Sequence, residues 1–214
     1  MRPLTLERPK PLIEVCEKPI LYHIAAALPE LIDEIVFVVS YKQEMIREYC
    51  GEEFFGKKVT YVIQENPKGG TGDAVIQTSG TVSGKFMILN GDDIHGREAL
   101  AEAVEHDSCI LAAHSDTPER YGVLDLNSDG TLRSIIEKPE NPSSNLINTG
   151  GFVVTSDIFA HVPEVSQSGE IYLTDMVTEY VKTHPVQVVE QTLWLPLGRP
   201  EDIPLAEAVL CPKN

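Results

Sequence analysis

The apolar positions of this chain fall into two rhythms. Residues 35–39, 59–63 and 86–89 are short runs of β-branched and large apolar side chains, the pattern of strands covered on both faces. Between them, residues 20–28, 43–50 and 72–78 carry helical character, and a further helix over 97–105 leads into a strand over 109–113. Strands alternating with helices predict an α/β fold with a doubly wound, mostly parallel sheet. In such a sheet the ligand crevice lies at the carboxyl ends of the strands.

After His114 the rhythm changes. Strand-like segments over 121–126 and 131–137 flank Asn127, Ser128, Asp129 and Gly130, which read as a hairpin turn. A strand over 147–154 follows, then helices near Ile158 and over 173–182, with Thr174 and Asp175 as candidate caps. A strand around 186–189 and a short helix after Pro200 complete the chain. No internal repeat, low-complexity segment or hexapeptide pattern is present. The pattern is that of one α/β domain over residues 1–214, with a mixed β insertion at about residues 115–190.

Length and composition narrow the classes. At 214 residues with 42% hydrophobic residues, the chain can bury a sizeable core. It has no apolar run of the ~20 residues that spans a bilayer. It also lacks a basic start followed by an apolar block, so the expectation is a cytoplasmic protein with no membrane partner. A net charge of −16 argues against nucleic acid, whose phosphates call for a basic surface. It leaves room for a phosphorylated small molecule neutralised locally by a metal ion and a few lysines. Cys16, Cys50, Cys109 and Cys211 are widely spaced and form no C-x-x-C pair, so buried or incidental thiols are expected rather than a zinc site or disulfides.

Four groups of residues carry candidate chemistry. Asn90, Gly91, Asp92 and Asp93 end an apolar strand; Gly91 permits a sharp turn that leaves Asp92 at the sheet edge facing a crevice, although Asn-Gly is also a common turn dipeptide. Gln64, with a donor and an acceptor, precedes Gly70 and Thr71 at a helix start, where small residues and N–H groups can approach a ligand and where Thr71 can also serve as an ordinary cap. Lys10 is held between Pro9 and Pro11, which stiffens its backbone and suits a point charge aimed at a phosphate. Gly122, Glu137, Lys138 and Asn148 lie in the second half; carboxylate and amide groups grip hydroxyls, and a lysine neutralises an anion. Glu137 and Lys138 also fit a plain surface ion pair.

Together these segments resemble the sugar-1-phosphate nucleotidylyltransferases, or nucleotide-sugar pyrophosphorylases, including the glucose-1-phosphate thymidylyl- and uridylyltransferases. The N-terminal signature of that family runs roughly G-x-G-T-R-[LM]-x-P-L-T-x-x-x-P-K-P-L-x-P-V. Pro3, Leu4 and Thr5, then Pro9, Lys10, Pro11 and Leu12, match its second half. Met1 falls on the Leu/Met position, so the glycines and the arginine of the pattern would lie before residue 1; an internal methionine read as a start would place them on a longer product. Gln64 to Val75 resembles Q-x-x-P-x-G-T-A-x-A-[VIL], with Gly72 in place of the common Ala. Asn90-Gly91-Asp92 matches N-G-D, Tyr121-Gly122-Val123 matches Y-G-V, Glu137-Lys138-Pro139 matches E-K-P, and Asn148 opens N-x-G. The segment from Trp194 to Asp202 is similar to W-x-D-x-G-x-P-x-D, but Pro196 stands where the family has its second metal-binding Asp.

The resemblance implies a Rossmann-like nucleotidyltransferase sheet that makes a nucleotide sugar and pyrophosphate. The implied substrates are UTP or dTTP with glucose-1-phosphate or N-acetylglucosamine-1-phosphate. It implies a magnesium ion on Asp92, phosphate contact by Lys10 and base contact by Gln64, Gly70 and Thr71. It assigns the sugar phosphate to Gly122, Glu137, Lys138 and Asn148. In relatives, the strand before the glycine loop lies near the middle of the sheet. Its absence would leave two strand edges unpaired, which predicts closure of the gap, association such as a homo-oligomer, or marginal stability. A non-catalytic sugar-nucleotide-binding homologue is the alternative, favoured by Pro196. A glycosyltransferase of similar fold would need an Asp-x-Asp spacing after a strand, and none occurs.

Overall fold

The computed structural model of the protein describes residue 1, residues 4–166 and residues 168–212. Pro3, part of the N-terminal signature, lies outside them. The strands are β1 (Glu14–Val15), β2 (Lys18–Pro19), β3 (Glu34–Val39), β4 (Glu53–Phe54), β5 (Lys57–Ile63), β6 (Lys85–Leu89), β7 (Asp93–His95), β8 (Cys109–His114), β9 (Gly122–Leu126), β10 (Leu132–Glu137), β11 (Leu146–Thr155), β12 (Gln187–Glu190) and β13 (Trp194–Pro196). The helices are α1 (Ile20–Ala27), α2 (Gln43–Cys50), α3 (Gly70–Ile76), α4 (Arg97–Ala103), α5 (Leu173–Tyr180) and α6 (Asp202–Leu210).

Local sequence accounts for several boundaries. In α2, Ile46 and Cys50 are buried four residues apart, and the helix stops at Gly51, whose φ of 64° lies in the left-handed region that glycine tolerates. The β9–β10 hairpin closes through Gly130, at φ 84°, whose N–H donates to Asn127 O at 3.0 Å. Helix α5 begins without a side-chain cap of its own: Tyr172 is the N-cap residue, and the Thr174 hydroxyl is buried without a partner. The expected caps Thr174 and Asp175 are thus corrected. Thr71, reaching from α3, accepts the Leu173 N–H at 3.2 Å and satisfies that helix start from outside.

The sheet is mixed. Strands β3 and β5 are parallel, as are β8 and β12. Antiparallel pairs link β10 to β9, β9 to β11, β11 to β8, and β6 to β11, giving a six-stranded sheet. Strand β11 organises it, running against three neighbours, with its register shifting between Asn148 and Phe152. Helix α5 covers one face, where Tyr180 is wholly buried and its hydroxyl bonds with Ser108 (2.9 Å) and Thr155 (3.0 Å).

Strands β3, β5 and β4 form a separate three-stranded sheet. Among the described residues, β3 pairs only with β5 and β6 only with β11, so each keeps one free edge. Both edges line a cavity of about 640 Å³, through Val36 and Val38 of β3 and Phe86 and Ile88 of β6, with Ile24 and Val75 also in its wall. The expectation that residues 35–39 and 86–89 are buried on both faces is therefore corrected: most of them are only partly buried, because among the described residues no strand covers the shared cavity.

The cysteine expectation is corrected in part. Cys50 and Cys109 are free and buried, and burial pushes each thiol up to about 12. Cys16 and Cys211, however, form a disulfide across 195 residues, with Cα atoms 6.2 Å apart. Sequence spacing could not reveal it, because the turn after β1 meets the end of α6 only in the folded chain. The Cys16 N–H also donates to Glu207 Oε1 at 3.3 Å, and Val15, Ile20, Ile94, Leu197 and Ala206 pack around the junction. A bond closing so long a loop restricts the unfolded chain, so reduction, or Cys211→Ser, should lower stability by about 2–4 kcal/mol. Thermal melting with and without a reductant checks this, and an unchanged midpoint would rule out a stabilising bond.

Candidate active site

The Asn90-to-Asp93 turn sits where β6 ends and β7 begins. Asp92 is 37% exposed at its side chain and forms an ion pair with Lys10. The approach of the two segments is close: a Cβ on Gly91 would lie 3.5 Å from Pro11 Cγ. Pro11, Thr71, Asn90 and Gly91 line the 640 Å³ cavity, so segments of three of the four candidate groups border it, while Lys10, Asp92, Gln64 and Gly70 are not among its lining residues.

Asp93 points the other way and is buried. Its Oδ2 accepts from Asn90 Nδ2 at 3.0 Å. Burial, then the neighbouring negative charge of Asp92, push its carboxyl up to about 7, against opposing contributions from Asn90 and Lys10. In the β7–β13 ladder Asp93 stands opposite Pro196, and Ile94 opposite Leu195. The second carboxylate position of the family pattern therefore lies directly beside a buried acid. His95, next along β7, is buried against Gln191, and burial holds its imidazole down at about 4.

The fourth group joins this turn through β11. Asn90 N–H donates to Gly150 O at 3.1 Å, and Asn148 Oδ1 accepts the Gly150 N–H at 2.9 Å. Gly150, at φ 81°, has no room for a side chain; a Cβ there would overlap Asn90 Nδ2 and lie 3.0 Å from Asp93 Oδ2. Around Asn148, β9 and β10 bring Gly122 opposite Glu137. A Cβ on Gly122 would meet Glu137 Oε2 at 3.2 Å and Asn148 Cβ at 3.6 Å, so these three residues form one cluster. Lys138 follows at φ 44°, pairs with Glu137 at 3.2 Å, and donates its backbone N–H to Tyr121 O. Beside them, Tyr121 packs edge-on against Trp194 at 5.3 Å; Trp194 also lines a smaller cavity of about 390 Å³ with His114, Glu190 and Gln191.

Gln64 leaves β5 with its backbone N–H on Val39 O at 2.8 Å. Its amide nitrogen donates to Gly70 O at 3.0 Å and Asp73 Oδ2 at 2.8 Å. Both hydrogens of that nitrogen are thus engaged, and Gln64 does not offer the free donor expected from sequence. The loop is braced from the far side: Gly72 N–H donates to Ile171 O and Ile171 N–H to Gly69 O. Asp73 escaped the sequence reading, and Asp93 was named there beside Asp92 without a role of its own. The Asp92-Asp93 doublet was a visible signal, while nothing local marks Asp73 as a partner of Gln64 nine residues earlier.

Among the described residues, no three His, Cys, Asp or Glu side chains gather into a metal-binding cluster. Asp92, the accessible acid of the turn, has the chemistry of a magnesium ligand, because that ion takes one or two carboxylates with water and substrate phosphates completing its shell.

Comparisons with known proteins agree along the chain. A family profile described as "Nucleotidyl transferase" matches residues 1–211. The "Bifunctional protein GlmU" of Methanocaldococcus jannaschii is 34% identical over 216 residues, an alignment covering 100% of this chain and 52% of that protein. The chain therefore spans about half the length of the curated relatives it matches first. The "UTP--glucose-1-phosphate uridylyltransferase AglF" of Haloferax volcanii is 33% identical, covering 97% of this chain and 90% of that protein. Among solved structures, a putative glucose-1-phosphate thymidylyltransferase from Bacillus anthracis superposes with a TM-score of 0.87 at 25% identity, covering 100% of this chain and 91% of that one. A UDP-glucose pyrophosphorylase complexed with UDP-glucose shares the fold, with a TM-score of 0.84 at 17% identity over 98% and 92% of the two chains. On the matched profile, these identities and the shared fold, the chain belongs to the nucleotidyl transferase family.

Proposed function

We propose that this chain joins a sugar-1-phosphate to a nucleoside triphosphate, forming a nucleotide sugar and releasing pyrophosphate, with UTP or dTTP and glucose-1-phosphate or N-acetylglucosamine-1-phosphate as substrates. The reading rests on the Lys10–Asp92 pair, whose chain neighbours Pro11 and Gly91 line a cavity together with Thr71. A phosphate oxygen of the sugar-1-phosphate attacks the α-phosphorus, a new P–O bond forms, and the bond to the β-phosphate breaks. The obstacle is repulsion between anions, so fixed positive charge near the reacting phosphates lowers the barrier.

Asp92 would hold a magnesium ion, which when bound supplies charge neutralisation at phosphate oxygens. Lys10, whose ammonium pairs with Asp92, would turn its charge to the phosphates. Gln64, Gly70 and Thr71 would meet the base, and the Gly122–Glu137–Asn148 cluster with Lys138 would take the sugar phosphate. A second reading, binding without turnover, is favoured by one observation: Pro196, opposite Asp93, has no side-chain oxygen to add to the acid pair.

The test is pyrophosphate release over a panel of UTP, dTTP, CTP and ATP, each with glucose-1-phosphate and N-acetylglucosamine-1-phosphate, with and without magnesium, alongside calorimetric binding of the same ligands. Magnesium-dependent release supports the transfer reading. Binding without release supports the second, and neither binding nor release sinks both.

A further inference from the structure

Resting on that reading, we propose that Asp73 is a positioning residue that sets base choice, by holding Gln64 so that it presents only a hydrogen-bond acceptor. The base this selects carries an N–H at the middle of its pairing edge, as uracil and thymine do at N3 and cytosine does not.

A side-chain amide can normally present either end to a ligand, because its oxygen and nitrogen are similar in size. Here the orientation is dictated by chemistry. An ionised carboxylate only accepts, and Asp73 Oδ2 lies 2.8 Å from the Gln64 nitrogen. The second hydrogen goes to the Gly70 carbonyl, another pure acceptor, at 3.0 Å. Flipping the amide would set its oxygen against a carboxylate and a carbonyl, losing a charge-assisted hydrogen bond and adding repulsion on both sides. No described residue donates to the Gln64 oxygen, which is left as the free end of the group.

Asp73 is itself locked. Its Oδ1 accepts from Gln77 Nε2 at 3.2 Å, one helical turn on, where α3 ends. Gly69 gives it space: a Cβ there would overlap Asp73 Oδ2 and lie 2.8 Å from Asp73 Cβ. Ile171, bonded to Gly69 and Gly72, holds the loop in place. Uracil with N3–H toward the Gln64 oxygen makes a hydrogen bond, whereas cytosine in the same pose brings two lone pairs together.

The experiment is calorimetric titration of the whole chain with UTP and with CTP. Wild type should prefer UTP. Asp73→Leu removes the carboxylate and leaves Gly70 O as the one anchor of the Gln64 amide, so its fixed sense weakens; UTP should weaken about tenfold, the worth of one hydrogen bond, while CTP changes little. Asp73→Asn should recover the preference that Asp73→Leu loses, because the Gln77 amide can turn to accept from the new nitrogen and leave the Asn oxygen for Gln64. A side chain with a merely structural role would not recover base selectivity in this way. Melting curves confirm that each variant is folded. A preserved UTP:CTP ratio in folded Asp73→Leu, or equal weakening of both nucleotides, overturns the role of Asp73 while the functional reading stands. Absence of UTP and dTTP binding to wild type overturns both.

Discussion

Asp92→Ala should lower pyrophosphate release about 10³-fold, the effect of removing several kcal/mol of charge stabilisation from the reacting phosphates. The same change should leave the fold intact. Among the described residues Asp92 has one side-chain partner, Lys10, and both are partly exposed, so breaking the pair should cost no more than about 1 kcal/mol. The lysine left behind keeps access to water. Melting and turnover, measured on the same preparation, therefore separate a chemical role from a structural one. Calorimetry adds a readout independent of turnover: wild type should bind UTP more tightly with magnesium present, and Asp92→Ala should lose most of that gain. Undiminished release in the folded variant would remove Asp92 from the reaction and take the proposed metal site with it.

Gly150→Ala should be among the most damaging single-methyl changes in the chain. The residue sits at φ 81°, where an alanine costs roughly 1–2 kcal/mol on backbone grounds alone. The added Cβ would also overlap the Asn90 amide and lie 3.0 Å from Asp93 Oδ2, in a place where Gly150 O already accepts the Asn90 N–H. Something must move, and each candidate is anchored: Asn90 to Asp93, and β11 to β6 and β8. A total loss of about 3 kcal/mol or more is expected, or roughly 6–12 °C in melting temperature for a chain of this size. Gly130→Ala is the control. Gly130 has φ 84° but nothing within 4 Å of its Cβ position, so only the backbone cost should appear. Equal losses at the two sites would show that β11 does not press against the turn as the structure has it.

The same contact explains why β11 matters to the site. Asn148, two residues before Gly150, lies in the cluster with Gly122 and Glu137, while Gly150 itself touches the turn carrying Asp92 and Asp93. One strand thus couples the two halves of the candidate site. The Asn-Thr-Gly-Gly run over 148–151 works as a unit: glycine is needed where the backbone passes beneath Asn90, and the register shift between Asn148 and Phe152 occurs there.

Much of this chain was readable from local pattern. Helix α2 occupies residues 43–50 as expected, since its apolar spacing is helical and Gly51 stops it. The β9–β10 hairpin was equally plain, because Asn127 to Gly130 is turn chemistry between two apolar strands. Such features depend on residues within a few positions of one another, where steric preference and periodic burial act directly. The ordered motifs from Lys10 to Asn148 likewise pointed to the family that the comparisons then showed.

What remained hidden depends on distant segments. Cys16 and Cys211 pair only because the first hairpin and the last helix share a small core. The partial burial of β3 and β6 follows from which strands accept hydrogen bonds along their edges, a property of the assembled sheet and not of either apolar run. Thr71 looked like a cap for its own helix and instead serves α5, 102 positions on. Asp73 fixes the sense of the Gln64 amide, and Asp93 lies buried opposite Pro196, because tertiary packing sets distances and dielectric that no spacing along the chain encodes.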